Sequence, residues 1–342
     1  MQQLASDNQA GICPEALAAL LAANSEGHEP SYGDDRWTAE LKARIRTVLE
    51  APRAEAFLVF NGTSANALTL AQLCRPFEAT ICHALSHIET DEAAAPEFFS
   101  GGAKLLTADT PGGKLTPEAV ERLARRYEGF HHVKARALSL TQSTELGTVY
   151  TPAELRALAA TARRHGLQVH MDGARLANAV ASLGCRPAEI VTAAGVDVLS
   201  FGATKNGLAV GELIVFLDPT LADAFAWRVK QGGQLASKMR FLAAPWCALL
   251  ADDVWLRNAR HANLMARRLR DGIAAIRGVS LMQPVEANAV FADIPVAAQA
   301  AVRAKGWRFY TFLGETGCRL MCAWDTEPGT IDRFCADLAA VA

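Results

Sequence analysis

A lysine flanked by small residues follows an apolar segment in the middle of the chain. Lys205 stands in Gly202-Ala203-Thr204-Lys205-Asn206-Gly207, directly after the apolar segment 196–201. A lysine held out of water loses basicity and becomes a nucleophile suited to Schiff-base chemistry. An ordinary solvated lysine in a loop is the alternative, and this segment alone does not decide between them.

Two further segments place an acid and an anion-binding turn after apolar strands. Asp172 ends the predicted strand 168–172, at the position where open α/β sheets bind ligands, although it would also suit the N-cap of a helix over 174–183. Asn61-Gly62-Thr63-Ser64-Ala65-Asn66 follows the predicted strand 56–60 and begins a helix. Free N–H groups there favour an anion, and an ordinary capped turn is the alternative. The segment matches neither the P-loop nor the dinucleotide fingerprint.

The elements that carry these residues alternate between strand and helix. Predicted strands of four to six residues are separated by helices of about 10–15 residues, a pattern typical of parallel βαβ units. After residue 245 a long helix is followed by short strands and a final helix. We therefore predict an α/β protein with a domain over residues 1–245 and a smaller α+β domain over residues 246–342.

Composition narrows the class of protein. The 342 residues carry a formal charge of −2, and 51% of them are hydrophobic. This is a globular composition without the basic excess that a nucleic-acid partner would require, so neither disorder nor nucleic-acid binding is expected. The sequence shows no membrane span or signal peptide, and its eight scattered cysteines suggest reduced thiols. A cytoplasmic protein without a metal site is the expectation.

The order of the three segments is more informative than any one of them. An anion-binding turn, then an acid at a strand end, then a lysine is the order found in pyridoxal 5′-phosphate (PLP) enzymes of the aspartate-aminotransferase fold. PLP requires a phosphate site, a carboxylate for its ring nitrogen and a lysine for its aldehyde. His87 follows the next short strand and could stack on the ring.

Six stretches carry a resemblance to a known family: Ser6-Asp7-Asn8, Tyr32-Gly33-Asp34-Asp35, Asn61-Gly62-Thr63-Ser64-Ala65-Asn66, Ser86-His87, His170-Met171-Asp172-Gly173-Ala174-Arg175 and Thr204-Lys205-Asn206-Gly207. On these, the chain resembles the low-specificity L-threonine aldolases of the PLP-dependent β-eliminating lyases, and most of all their pseudomonad type. The resemblance implies a PLP-dependent transferase-like fold (fold type I) with a mostly parallel central sheet. It also implies cleavage of β-hydroxy-α-amino acids to glycine and an aldehyde.

The resemblance also implies roles for individual residues. Lys205 would bind PLP covalently, Asp172 would contact the pyridine nitrogen, and His87 would stack on the ring. The remaining cofactor contacts would come from Gly62, Thr63, Ser64, Arg175 and Arg240, and the substrate contacts from Ser6, Tyr32, Arg175 and Arg319. A planar guanidinium suits a carboxylate. The alternatives are a surface salt bridge for Arg319 and a buried structural role for Tyr32.

The group that accepts the proton of the substrate hydroxyl is left open. Many relatives carry a histidine after the central strand, where this sequence has Glu145. Asp91, in the acidic run 89–92, and His131 are the other candidates, although such a run is more often a solvated surface.

Other activities also remain open at this stage. PLP-dependent β-elimination or transamination of an amino acid is the first alternative, and a non-catalytic PLP-fold binding protein is the second. A small amino acid is the expected substrate. A homo-oligomer, dimer or tetramer, is the expected assembly, with Tyr32 and Arg240 reaching the active site of a neighbouring subunit.

Overall fold

The computed structural model describes residues 2–25, 27–126 and 129–342. Its strands are β1 (Glu55–Val59), β2 (Glu78–His83), β3 (Lys104–Ala108), β4 (Lys134–Thr141), β5 (Gln168–Gly173), β6 (Val198–Phe201), β7 (Glu212–Phe216), β8 (Ser280–Leu281), β9 (Ala289–Asp293), β10 (Tyr310–Leu313) and β11 (Gly317–Met321). Its α-helices are α1 (Pro14–Ser25), α2 (Arg36–Val48), α3 (Gly62–Leu73), α4 (His87–Thr90), α5 (Ala95–Ser100), α6 (Pro117–Ala124), α7 (Pro152–Arg164), α8 (Leu176–Leu183), α9 (Pro187–Ile190), α10 (Phe225–Gln231), α11 (Arg240–Leu250), α12 (Val254–Ala274), α13 (Val296–Ala304) and α14 (Pro328–Ala339).

The larger sheet has seven strands in the order β1-β7-β6-β5-β4-β2-β3. The pairs from β3 to β6 are parallel, whereas β7 runs antiparallel to both of its neighbours. Strands β5, β6 and β7 are almost completely buried, as expected for strands covered by helices on both faces. The prediction of an α/β fold with a mostly parallel sheet is confirmed.

The smaller sheet is antiparallel, in the order β10-β11-β9-β8. It has its own hydrophobic core, which includes Phe309 and Phe334. Helix α12 contributes to both cores, with Trp255 in the larger and Leu269 in the smaller. Residues just after 245 thus pack in the larger core, and the division of the chain at residue 245 stays a prediction.

The N-terminal segment, residues 2–8, runs from the smaller sheet towards the larger one. The backbone N–H of Leu4 donates to Arg308 O at 2.8 Å, and Met321 N–H donates to Leu4 O at 2.8 Å. The side chain of Leu4 is buried in the smaller core. This docking brings Ser6 and Asp7 to the edge of the larger sheet, beside Arg175.

Two further features are the state of the cysteines and the character of the helices. Each of the eight cysteines is free, and six of them are buried. Within residues 2–25, 27–126 and 129–342, no helix is long and apolar enough to cross a membrane.

Candidate active site

Two adjoining cavities lie at the ends of β5 and β6. The larger has a volume of about 410 Å³ and the smaller about 150 Å³. Asn66, His87, Asp172 and Lys205 line both, so the two form one site. Because the carboxyl ends of parallel strands meet at one edge of a sheet, this is where residues from separate strands converge.

The first turn of α3 forms one wall of the larger cavity. Asn61 caps this helix: its Oδ1 accepts a hydrogen bond from the Ser64 N–H at 2.9 Å. Gly62 and Thr63 line the cavity, where the helix N-terminus favours an anion. Ser64 is not among the lining residues. The predicted anion-binding turn is therefore a cavity wall carried by Gly62 and Thr63.

Lys205 lies on a short 3₁₀ turn, Thr204–Asn206, just after β6. Gly202, just before this turn, packs closely against the backbone of Ala174. A Cβ at position 202 would lie 2.6 Å from Ala174 Cα, so only glycine fits there. Burial lowers the pKa of Lys205, and the positive charge of Arg175 lowers it further. Lys205 is thus a partly buried lysine that lines the cavity, not a solvated lysine in a loop.

Asp172 is the acid beside this amine. It accepts hydrogen bonds from the Ala174 N–H at 3.0 Å and from Asn66 Nδ2 at 2.8 Å. Burial would raise the pKa of Asp172, but Lys205 and these donors outweigh it and hold the pKa below its ordinary value. Helix α8 begins only at Leu176, with Arg175 in the N-cap position, so Asp172 is not its N-cap.

His170, two residues earlier on the same face of β5, supports this region. Its Nδ1 lies 3.0 Å from Ser139 Oγ and its Nε2 lies 2.9 Å from Ser200 Oγ. Burial lowers the pKa of His170 to about 4, which keeps the imidazole neutral.

His87 begins α4 and is surrounded by acids. Its Nδ1 lies 2.8 Å from Glu92 Oε1, and its Nε2 lies 3.6 Å from Asp91 Oδ2. The hydrogen bond with Glu92 raises the pKa of His87. Asp91 lines the smaller cavity, as predicted for a group near the substrate. Glu92 is buried, so this part of the acidic run is not a solvated surface.

Glu145 follows β4 and lies beside the helix that carries His87. Its Oε1 accepts hydrogen bonds from the His87 N–H and from Thr141 Oγ1, each at 2.9 Å. Its Oε2 is buried and has no hydrogen-bond partner among the described residues. Burial raises the pKa of Glu145 to about 7, and the negative charge of Asp172 adds to the shift. The carboxyl group is therefore poised to exchange a proton near neutral pH.

Two arginines converge on the smaller cavity. Arg175 pairs with the buried Asp7 through its Nε at 2.7 Å and its Nη2 at 2.9 Å. The Nε of Arg319 is buried without a hydrogen-bond partner in the part of the chain that the structure describes, and its guanidinium lies 5.0 Å from the ring centre of Phe312. Burial lowers the pKa of Arg319, and the charge of Arg175 lowers it further. Two neighbouring cations, one with an unused donor, make a site for an anion, and Arg319 is not in a surface salt bridge.

Ser6 lines the smaller cavity, but Tyr32 and Arg240 do not. Tyr32 is half-exposed, with Lys230 Nζ 5.2 Å from its ring centre, so it is not a buried structural residue. Arg240 begins α11 with its guanidinium over the ring of Phe241. Neither lines the two cavities, and their contacts with a neighbouring subunit stay predictions.

His131 is also outside the cavities. It precedes the amino end of β4, whereas Glu145 and the cavities are at the carboxyl end of that strand. Eight residues of strand separate the two ends by roughly 25 Å. His131 is therefore excluded as the proton acceptor within its own chain.

Four residues that the sequence analysis did not single out for the site complete it. Asn66, Glu92 and Asp7 make the contacts described above, and Glu212 lines the larger cavity while its Oε2 accepts a hydrogen bond from the Ala203 N–H at 2.6 Å. Asp7 and Asn66 lie in stretches that carry the resemblance, Glu92 ends the acidic run 89–92, and Glu212 is an acid in an apolar strand, but none of these signals specifies a partner.

Comparison with known proteins agrees with this arrangement. The family model for beta-eliminating lyases matches residues 3–297. The low specificity L-threonine aldolase of Pseudomonas aeruginosa is 55% identical over 340 residues, which are 99% of this chain and 98% of that protein. The corresponding protein of a Pseudomonas species is 54% identical over the same shares of both chains.

Solved structures agree as well. A threonine aldolase from Leishmania major superposes with a TM-score of 0.92 at 31% identity, over 99% of this chain and 98% of that one. An aspartate aminotransferase from Thermus thermophilus, 17% identical over 100% and 92% of the chains, shares the fold with a TM-score of 0.73. These matches confirm the resemblance drawn from the sequence motifs. The chain belongs to the beta-eliminating lyase family.

Proposed function

We propose that this protein is a PLP-dependent aldolase that cleaves L-threonine, L-allo-threonine and related β-hydroxy-α-amino acids to glycine and an aldehyde. The observation that carries the proposal is the single cavity lined by the partly buried Lys205, the ionised carboxylate of Asp172 and the N-terminus of α3. The names of the relatives, and of the Leishmania structure, agree with this activity.

The residues of the larger cavity fit PLP. Gly62 and Thr63 would hold its phosphate, Asp172 its ring nitrogen and Lys205 its aldehyde carbon, and His87 would lie against the ring. A volume of about 410 Å³ is within the range of small-molecule sites. When bound, PLP supplies an electron-withdrawing ring that makes the Cα–Cβ bond of an amino acid cleavable.

The chain's own residues would then orient the substrate and move its proton. Arg319, with its unused Nε, would bind the substrate carboxylate together with Arg175 and Ser6. Fixing the carboxylate also fixes which bond at Cα is aligned for cleavage. The unpartnered Oε2 of Glu145 would accept the proton of the β-hydroxyl, with Asp91 as the alternative acceptor.

Product analysis tests this function. The PLP-loaded protein is incubated with L-threonine, L-allo-threonine and phenylserine, and glycine, aldehyde, 2-oxo acids and ammonia are measured. We expect glycine and aldehyde in equal amounts. A 2-oxo acid with ammonia would instead identify β-elimination, and a 2-oxo acid formed with an aminated cofactor would identify transamination.

The variant Lys205→Ala tests whether Lys205 is the residue that binds PLP. It removes the amine that would bind PLP, so we expect no PLP to be trapped on the protein by borohydride and almost no cleavage. Lys104→Ala, which changes an exposed lysine at the start of β3, is the control and should behave like the unaltered protein. Trapping that is equal in all three proteins would refute the assignment of Lys205, and no trapping in any would favour a non-catalytic binding protein.

The assembly is the last part of the proposal. We infer a homo-oligomer in which Tyr32 and Arg240 complete the active site of a neighbouring subunit, because both lie outside the cavities of their own chain. Co-expression of Lys205→Ala with Arg240→Ala tests this. If the sites are shared, mixed oligomers contain sites with both residues intact and recover part of the activity. An active monomer in light scattering would refute the inference.

A further inference from the structure

A chain of hydrogen bonds along the wall of the larger cavity joins the residue that would contact the ring nitrogen of PLP to the residue that would lie against its ring. Asn66 Nδ2 lies 2.8 Å from Asp172 Oδ2 and 2.9 Å from Glu92 Oε1. The same Glu92 oxygen lies 2.8 Å from His87 Nδ1. The order is therefore Asp172, Asn66, Glu92, His87. Three separate parts of the sequence supply these residues.

The hydrogen-bond chemistry of this chain has one consistent assignment. Both neighbours of the Asn66 amide are carboxylate oxygens, so its NH₂ group must face them and its Oδ1 must point away. Oδ1 is indeed buried without a partner among the described residues. An ionised carboxylate only accepts hydrogen bonds, so Nδ1 of His87 must carry a hydrogen. The Nε2 of His87 is then the ring nitrogen that is available to a molecule bound in the cavity.

Burial makes this arrangement energetically important. The side chain of Glu92 is 0% exposed, and its Oε2 has no hydrogen-bond partner within residues 2–25, 27–126 and 129–342. A buried carboxylate is costly unless charged or polar groups stabilise it, and His87 and Asn66 supply that stabilisation at a single oxygen. Burial raises the pKa of Glu92, whereas these two contacts oppose the shift. The carboxylate and the imidazole therefore depend on each other.

We propose that Glu92 is a positioning residue that holds His87 in its Nδ1–H form and, through Asn66, orients the carboxylate of Asp172. The group that would contact the ring nitrogen and the group that would lie against the ring are then ordered by one network rather than separately. The proposal rests on the proposed function for the roles of His87 and Asp172. It goes beyond that function in assigning a role to Glu92 and Asn66.

Other charged groups also face His87, and none of them can replace Glu92. Asp91 lies 3.6 Å from the other ring nitrogen, beyond hydrogen-bond distance, and its side chain is 83% exposed. Glu145 contacts the backbone N–H of His87 and not the ring. Asp172 and Lys205 act on the imidazole through their charges, in opposite directions. Of the described residues, only Glu92 is hydrogen-bonded to the ring.

The test uses nitrogen-15 NMR of the histidine rings in the full-length protein, both without cofactor and loaded with PLP. A His87→Gln variant identifies the signals of His87 among the eight histidines. In the unaltered protein we expect a protonated Nδ1 and a His87 pKa above the ordinary value. Glu92→Gln, which keeps the shape but removes the charge, should lower the pKa of His87 by one unit or more. Glu92→Leu should abolish the preference for Nδ1–H.

Two controls separate positioning from a general disturbance of the fold. Glu89→Gln removes an exposed acid from the same helix and should leave the His87 signals unchanged. Asn66→Ala cuts the link to Asp172 but keeps the bond between Glu92 and His87. It should preserve the His87 signals while weakening PLP binding, measured by fluorescence titration, by about tenfold.

The result that would overturn the proposal is a His87 pKa that is the same in Glu92→Gln, Glu89→Gln and the unaltered protein, or an unprotonated Nδ1 in the unaltered protein. The NMR measurement without cofactor does not depend on turnover. If the expected shifts appear but threonine is not cleaved, the positioning role stands and the proposed function fails.

Discussion

Replacement of Glu145 by Gln tests the proposed proton acceptor most directly. Gln is nearly isosteric and can still accept hydrogen bonds from the His87 N–H and from Thr141, but it cannot take up a proton at the substrate hydroxyl. We expect cleavage of threonine by Glu145→Gln to fall by roughly 10²–10⁴-fold, the contribution typical of a general base. PLP binding and exchange of the α-proton of glycine need no β-hydroxyl, and both should persist.

The pKa of Glu145 sets the pH dependence of this loss. With a pKa of about 7, roughly one-tenth of the carboxyl groups are ionised at pH 6, half at pH 7 and nine-tenths at pH 8. The kcat/KM of the unaltered protein should therefore rise about tenfold per pH unit below 7 and level off above 8. The variant should lack this limb. Because the pKa of His87 is also raised, any limb that survives in the variant belongs to His87.

The free energy of unfolding provides an independent measurement of the pKa shift of Glu145. The folded-state pKa of about 7 lies above the ordinary 4.5, so the fold favours the protonated form and loses stability as the pH rises from about 4.5 to 7. The difference of about 2.5 pKa units corresponds to about 3 kcal/mol. Glu145→Gln should thus be more stable than the unaltered protein at pH 8, by up to that amount, and close to it at pH 5. Thermal unfolding at the two pH values measures this.

The assay pairs aldehyde release with the loss of the glycine α-proton signal in deuterium oxide. Glu118→Gln, an exposed acid at the start of α6, is the control for removal of one charge. If exchange and cleavage fall together, Glu145 supports the site structurally and is not the acceptor. If neither falls, the role passes to Asp91.

Three further predictions concern the cavity and its packing. Asp172→Asn should lower kcat by at least 10²-fold, because one charge-assisted contact at a catalytic site is worth several kcal/mol, while absorbance should still report PLP bound to Lys205. Arg319→Lys should raise the KM for threonine at least tenfold, with a smaller change in kcat, because an ammonium cannot reproduce the planar guanidinium; steady-state kinetics measures this. Gly202→Ala should destabilise the protein by about 1–3 kcal/mol in thermal unfolding, because the new Cβ would meet the backbone of Ala174, whereas Gly11→Ala, in open space, should not.

The part of the site that the sequence predicted consists of residues whose position along one element already determines their place. Lys205 follows a buried strand, Asp172 lies near the carboxyl end of another, and Gly62 and Thr63 begin a helix after a third, so the sheet brings them to one edge. Local patterns of hydrophobicity are enough to predict such residues, because pairing of the strands in the sheet then brings their ends together.

The part that the sequence missed depends on which elements pack together. Asp7 meets Arg175 across 168 residues, and Asn66 meets Asp172 across 106. No periodicity within α3 or the N-terminal segment specifies these pairings, because each is fixed by the packing of two distant elements. The misplacement of His131 has the same origin: the sequence showed that it precedes a strand, but not that the site lies at that strand's other end.

The docking of residues 2–8 on the smaller sheet has a consequence for how the protein is made. Leu4 is hydrogen-bonded to Arg308 and Met321, so residues 2–8 find their place only after about 300 later residues have been synthesised. At about 5–20 residues per second, that interval is roughly 15–60 s. During this time Asp7 is absent from Arg175 and the apolar side chain of Leu4 has no core to enter. A nascent chain with its larger sheet already formed therefore still lacks part of its site, and the site is completed only after the strand that ends at Met321 has been synthesised.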